Sequence, residues 1–342
     1  MPEVSVIIPT CARPVQLEGL LAGLCRTLER RFPAEVLVVD TGRQTVVRDL
    51  CAESRFRGLN IRYIPCFSRT LHAGRHLGAR LSAGDVLLFA DDDIVPSATW
   101  VAAVHDAFRD PELALGGGEC LPKYEAEPPP WVDTLWKENE HGNLLFAFSL
   151  IRRSGGARAI SPFYVFGCNY AVRKSVLMKS GGFHPDGLPA EHMRFRGDGE
   201  SSVSAYVQDE GLKCMHIPDA GVWHCVPPAR MTFEYIYRRY FMQAVSDSYT
   251  KVRRKGCADW VPRYTRMLDG IGKIWPRSRA LPWGPAVRHL PQSLQSVIAL
   301  GCRDGAIFHQ REVRRDSRLL QWILRNDYWD VGLPGEKVNH PA

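Results

Sequence analysis

Several familiar signals are missing from this 342-residue sequence, and each absence narrows its function. The ten cysteines fall singly, with no Cys-x-x-Cys pair. That pattern argues against a disulfide framework or a zinc site and predicts reduced, mostly buried thiols in a cytoplasmic protein. No uninterrupted apolar segment approaches the ~20 residues needed to cross a bilayer. The sequence opens directly on strand-like Val4 to Ile8 without a basic flank, so no signal peptide is expected. Neither a G-x-G-x-x-G nor a Walker-type glycine loop follows any apolar run, which argues against a dinucleotide oxidoreductase and a P-loop NTPase.

What is present fits a soluble globular enzyme: 45% hydrophobic and 24% charged residues, in a chain long enough for one large domain with an extension or for two domains. The net charge of +7 is unevenly spread. From Val226 onward 20 Lys and Arg stand against 10 Asp and Glu, while residues 1–225 carry 24 against 27. Such a basic extension attracts lipid headgroups, a phosphorylated substrate or nucleic acid, or is a solvated helical surface. Among these partners nucleic acid is not the one expected.

The most informative stretch is Ser82-Ala-Gly-Asp-Val-Leu-Leu-Phe-Ala-Asp-Asp-Asp93. Val86 to Ala90 reads as a short buried strand bounded by a turn, and three carboxylates follow at its C-terminal end. Adjacent carboxylates repel one another, so a tight cluster beside a buried strand calls for a cation. In extended chain Asp91 and Asp93 face the same way, which suits a divalent metal carrying phosphate oxygens. The competing reading is a solvated acidic turn in which Asp93 caps a helix.

The first half alternates strand and helix: Val4 to Ile8, a helix over Val15 to Phe32, Glu35 to Val39, a helix over Val46 to Arg55, Asn60 to Ile64, a helix over Leu71 to Leu81, then Val86 to Ala90. Alternation of this kind predicts a doubly wound α/β fold with a mixed, mostly parallel sheet. Ligands bind such sheets beyond the C-terminal strand ends, so Pro9 and Thr10, Asp40, and Asp91 to Asp93 should meet on one rim.

These residues carry a family resemblance. Val4-Ser-Val-Ile-Ile-Pro-Thr-Cys-Ala-Arg-Pro14, Val38-Val-Asp40, Ala73-Gly-Arg-His-Leu-Gly78, Ala83-Gly-Asp85 and Phe89-Ala-Asp-Asp-Asp93 resemble, in order and spacing, the GT-A-fold family 2 glycosyltransferases. Phe166-Gly-Cys-Asn-Tyr-Ala-Val-Arg173, Gly181-Gly-Phe183, Arg196-Gly-Asp-Gly-Glu200 and Val222-Trp-His224 continue it, over about two thirds of the chain. The resemblance implies a Rossmann-like GT-A catalytic domain over 1–225 and a basic, mainly helical extension over 226–342. It implies inverting transfer from a nucleotide-diphosphate sugar, a UDP-sugar favoured, to an acceptor hydroxyl. Asp40 then reads the base, with Pro9, Thr10 and Arg13 beneath it and Arg75 beside the nucleotide. Asp91, Asp92 and Asp93 form the DxD element that holds ribose and a Mn²⁺ or Mg²⁺ cofactor, Asp93 and Asp91 being metal ligands with His224 near. Asp198 is the implied base, which suits a displacement opposite a metal-held leaving group.

The sequence departs from the family pattern at three places. Ala12 stands where Asn is usual, His76 where Asn follows Arg, and Gly197 where Glu usually precedes the base. The glycines around Asp198 let backbone approach a sugar closely, with Glu200 as second catalytic candidate or a first-turn acid; Asp198 alternatively caps the helix expected over Ser201 to Gly211.

Weaker signals remain open. His72 and His76 have metal-binding spacing, yet a satisfied surface or nucleotide-side role fits better. Gly116 to Gly118 is a phosphate nest or a sheet bend. Trp131 is a sugar-stacking candidate against core packing, and Arg238 and Arg239 face diphosphate or acceptor, or only solvent. The region after Asp259, with Trp260, Trp275 and Trp283 and helices expected over Leu290 to Phe308 and Ser317 to Asn326, is a candidate to cover the core, form a homodimer or touch the inner membrane face peripherally. The alternatives to a glycosyltransferase are a catalytically silent carbohydrate-binding or scaffold protein of the same fold, and a sugar nucleotidyltransferase, which would need a glycine-rich phosphate loop that Pro9 to Pro14 does not supply.

Overall fold

The computed structural model describes residues 3–27, 34–259, 290 and 292–336. The described residues group into two compact units. One gathers residues up to 184, 199–228 and 327–336; the other gathers 185–198 with those from 229 to 326.

In the first unit β1 (Val4–Thr10), β2 (Ala34–Asp40), β3 (Asn60–Pro65) and β4 (Val86–Ala90) lie parallel in the order β4-β1-β2-β3. Every residue of β1 and β4 is buried, as near-continuous apolar strands are when helices cover both faces. Because side chains alternate across a strand, Val6 and Ile8 join Leu17, Leu20, Leu21 and Leu24 of α1 (Pro14–Thr27) on one face. Ile7, Leu37 and Val39 join Ala73 and Leu77 of α3 (Leu71–Leu81) on the other. Each fully buried leucine contributes about 1.5–3 kcal/mol. The connection after β2 forms α2 (Thr45–Cys51), shorter than the helix read from sequence.

Past β4 the sheet turns mixed. β12 (Asn169–Arg173) pairs antiparallel with β4 and with β6 (Leu113–Gly117), and β13 (Lys213–His216) runs parallel to β6. Four of the seven strand pairings in this eight-stranded sheet are parallel. A second sheet contains β5 (Ile94–Pro96), β14 (Val222–Val226), β7 (Cys120–Tyr124) and β10 (Leu150–Arg152). Gly117 is a site of close strand approach, since a Cβ there would meet the Asn169 carbonyl at 2.6 Å, so the glycine run serves sheet packing.

Two expectations need correction. His72 and His76 are buried, not surface residues. The His76 ring hydrogen-bonds the Tyr328 carbonyl through Nδ1 (3.2 Å), accepts from the Phe183 amide through Nε2 (2.8 Å) and stacks on Trp329 at 4.2 Å. Of the ten cysteines, all unpaired, four are buried, three half-buried and three exposed, so burial of the thiols is not the rule.

The second unit is helical. Its main helix, α7 (Phe233–Lys255), begins at Thr232, whose hydroxyl accepts from the Tyr235 amide, and stops at Gly256 in left-handed conformation (φ 71°). Arg253, Arg254 and Lys255 in its last turn complement the helix dipole. Among the described residues the next long helix, α8 (Leu294–Arg315), begins and ends later than the Leu290 to Phe308 expected from sequence, and lies against α7 through Gly301 and Gly305. A Cβ on Gly301 would come 2.7 Å from the Tyr237 carbonyl, so only glycine permits this approach. A short helix, α9 (Ser317–Ile323), follows. Trp260, Trp275 and Trp283 lie outside the described residues. Among the described residues no helix is long and apolar enough to cross a membrane.

Burial lowers His216 and His309 from the ordinary 6.5 to about 4. Between those values each is neutral when folded and protonated when unfolded. Their stabilising contribution is therefore whole above pH about 6.5 and is lost as pH falls toward about 4. The melting temperature is expected to drop between about pH 7 and about pH 5, less steeply in His309→Gln. An unaltered slope in that variant would remove His309 from the account.

Candidate active site

Since β1, β2 and β4 are parallel and in register, with Thr10 opposite Asp40 and Ile7 opposite Phe89, their C-terminal ends share one rim. Asp91 to Asp93 leave β4 on that rim and run straight into β5. No helix begins at Asp93; the next one, α4 (Trp100–Ala107), starts after Thr99 and has no side-chain cap. β5 pairs antiparallel with β14, placing His224 opposite Ile94 and thus beside Asp93. Ligand atoms of Asp91, Asp93 and His224 lie within 4.8 Å of one another.

The chemistry of this cluster fits a cation. His224 Nδ1 lies 2.8 Å from the Phe148 carbonyl, which can only accept, so Nδ1 carries a proton. Nε2 then faces Asp93 Oδ1 at 3.2 Å, both atoms buried. A neutral imidazole nitrogen and a carboxylate oxygen both present lone pairs, so either a second ring proton or a bound cation must satisfy the pair.

Asp92 is tied into the protein instead. Its carboxylate accepts from Thr10 Oγ1 (2.7 Å) and pairs with Arg13 Nη1 (2.6 Å). Burial nevertheless raises its pKa to about 7, with Arg13 and Thr10 opposing the rise. Arg13 also holds Asp93 Oδ2 at 2.9 Å. Burial works against the guanidinium, but Asp92 and Asp93 outweigh it and raise its pKa. Ala12, before it, has φ 57°, a left-handed conformation that asparagine tolerates better than alanine.

Arg75 on α3 is buried and joins the rim to the start of α6 (Ser201–Asp209). Its guanidinium donates to Asp91 (3.3 Å), the Gly167 carbonyl (3.1 Å) and Glu200 (3.5 Å). Glu200 also accepts from the Gly167 amide at 3.2 Å. Pro9 is buried, packing toward Gly74.

Asp40 points into its own loop. Oδ1 accepts from the amides of Gly42 (2.8 Å) and Arg43 (2.9 Å), and Oδ2 from the Gln44 amide (2.7 Å) and the Tyr63 hydroxyl (3.1 Å). With the side chain fully buried, these bonds shape the loop rather than leave the carboxylate facing a base. Asp40→Ala is expected to lower stability by about 2–3 kcal/mol, since three amides lose their acceptor. Denaturant unfolding checks this; unchanged stability with altered nucleotide preference would instead return Asp40 to direct base reading.

Asp198 belongs to the second unit, where Thr250 Oγ1 donates to its Oδ2 at 2.7 Å. It is not a helix cap: α6 begins after Glu200, and no side chain caps it. Arg238 pairs with Glu234 and Arg239 with Gln243 (3.2 Å), each along α7 itself. Trp131 is half-buried on the short turn Pro130–Leu135.

The model of the family described as Glycosyl transferase family 2 matches residues 5–179, more than half of the chain. The chain belongs to glycosyl transferase family 2. Two validoxylamine A glucosyltransferases, from Streptomyces hygroscopicus subsp. jinggangensis (strain 5008) and subsp. limoneus, are each 30% identical over 143 residues. That stretch is 40% of this chain and 33% and 31% of theirs, so the chain spans about a third of the length of these curated relatives. The mannosyltransferase of Pyrobaculum calidifontis in complex with GDP-Man and Mn²⁺ shares the fold, with TM-score 0.52 at 18% identity over 96% of this chain and 88% of its own. The architecture is accordingly the GT-A fold.

The family 2 match ends before Asp198, Glu200 and His224, so their surroundings come from geometry alone. Ser246, Asp247 and Thr250 carry little signal in the sequence. The only signal for them was two hydroxyls four residues apart on α7, which are common on helices. Partial burial raises the pKa of the Asp247 carboxyl, as does the charge of Asp198, while Gln243 and Arg239 oppose the rise.

Proposed function

We propose that this family 2 chain is a metal-dependent, inverting glycosyltransferase that moves a sugar from a nucleotide-diphosphate donor to an acceptor hydroxyl. The observation that carries the reading is the cluster of Asp91, Asp93 and His224 on the strand-end rim, whose ligand atoms lie close enough together to share one cation. A divalent ion held there supplies charge neutralisation for the diphosphate leaving group. Mn²⁺ is favoured by the imidazole ligand, and the mannosyltransferase of the same fold was solved with that ion.

The chain's own groups do the rest. Arg13 offsets the charge of buried Asp92 and Asp93, and Arg75 fixes Asp91 and Glu200. Asp40 ends β2 on the rim and shapes the loop that follows, which supports a role for it toward the nucleotide through that loop. Asp198 takes the proton of the acceptor hydroxyl as its oxygen attacks the anomeric carbon and the bond to the diphosphate breaks, which inverts that carbon. A hexosyl donor is supported by the two relatives named glucosyltransferases.

A melting-temperature panel of UDP, GDP and their hexose conjugates, with and without Mn²⁺, tests the reading. The preferred nucleotide at ~100 Kd should add about 2.7 kcal/mol of stability only with the ion present. No stabilisation by any of them would defeat it.

A further inference from the structure

Asp198 stands between Gly197 and Gly199, so neither chain neighbour has a side chain that could hold it. The loop is held instead by α7, within the second unit. The Arg196 guanidinium pairs with Asp186 at 2.5 Å and donates through Nε to Ser246 Oγ at 3.1 Å. Ser246 donates in turn to the Gly197 carbonyl at 2.7 Å, and the Gly197 amide donates to the Pro185 carbonyl at 2.7 Å.

One helical turn later, Thr250 Oγ1 lies 2.7 Å from Asp198 Oδ2 and 3.2 Å from the Ser246 carbonyl. A hydroxyl has a single proton, and a charged acceptor at the shorter distance takes it. Residues four apart share one face of a helix, so Ser246 fixes the backbone of the loop while Thr250 fixes the carboxylate. Both residues ride on a helix whose Val245, Tyr249 and Val252 are buried, so the clamp has a rigid base.

We infer that Thr250 is a positioning residue for Asp198, with Ser246 as its backbone partner. The inference rests on Asp198 being the base, as proposed above. A carboxylate that can rotate away from its productive angle loses rate without loosening donor binding, and misplacement by about 1 Å costs up to ~10²-fold.

The test compares wild type, Thr250→Val, Thr250→Ser, Asp198→Asn and the Thr250→Val/Asp198→Asn double variant. Each is assayed with Mn²⁺ and the UDP- or GDP-hexose that most stabilises the protein, water serving as the acceptor hydroxyl. Thr250→Val, nearly isosteric, should lower kcat by about 10- to 100-fold with donor KM unchanged. Thr250→Ser should recover most of that loss, and in the Asp198→Asn background Thr250→Val should cost nothing further. Thr250→Ala serves the same comparison if the valine variant does not fold. Wild-type kcat in Thr250→Val alongside an impaired Asp198→Asn overturns this inference alone, as does a loss of full size in the double variant. Wild-type turnover in Asp198→Asn removes the base assignment and this inference together.

Discussion

Asp198→Asn is expected to bind donor and melt almost as the wild type does, yet to transfer sugar about 10²- to 10⁴-fold more slowly, the usual contribution of a positioned general base. The fold should survive because Asn is nearly isosteric and its Oδ1 can still accept from Thr250, whose hydroxyl is the donor in that bond. A merely structural Asp198 would leave turnover intact, since no side chain caps α6. Single-turnover transfer at saturating donor, measured beside the melting temperature, distinguishes the two. Unchanged turnover would move the base elsewhere. Glu200 is the next carboxylate, although its ties to Arg75 and to the Gly167 amide suit it better to holding the rim than to taking a proton. Undetectable turnover in the wild type with every donor it binds would favour a silent binder of the same fold.

The second large effect is expected at Asp93. Asp93→Asn removes one charged oxygen from the cluster with Asp91 and His224 while leaving the Arg13 to Asp92 pair in place. Outer-shell changes at metal sites already cost 10–100-fold in affinity, so losing a ligand should cost more than about 100-fold. Electron paramagnetic resonance of free Mn²⁺, titrated with protein in the presence of UDP or GDP, reads that loss without any transfer assay. His224→Asn should lower Mn²⁺ affinity in the same direction. Equal Mn²⁺ affinity in wild type and Asp93→Asn would mean that the ion sits elsewhere.

Much of the first unit was legible because its signals are local. Val86 to Ala90 carries its own boundary, a turn before and three acids after, and the structure returns that strand residue for residue. The helix over Leu71 to Leu81 is likewise recovered at both ends. The rim followed from topology, since parallel strands must end on one side. What the sequence hid was direction. Asp40 ends a strand on the rim, as expected, but its carboxylate turns back onto three amides of its own loop, a choice made by backbone geometry. His72 and His76 read as surface residues because the segment that buries them, 327–336, lies some 250 residues away in the chain. Likewise, the partner of Asp198 stands 52 residues downstream on a helix whose hydroxyls look unremarkable in sequence. Long-range pairing of this kind leaves no periodicity to read.

The central claim, that Asp91, Asp93 and His224 hold a cation on which the donor depends, is tested most directly by calorimetric titration of the native protein. UDP or GDP, whichever the melting panel selects, is titrated once with Mn²⁺ and once with excess EDTA. The account predicts saturable binding with the ion and at least ~100-fold weaker binding without it, in keeping with a hard-cation bridge between carboxylates and phosphate oxygens. Equal affinity in the two titrations would contradict it.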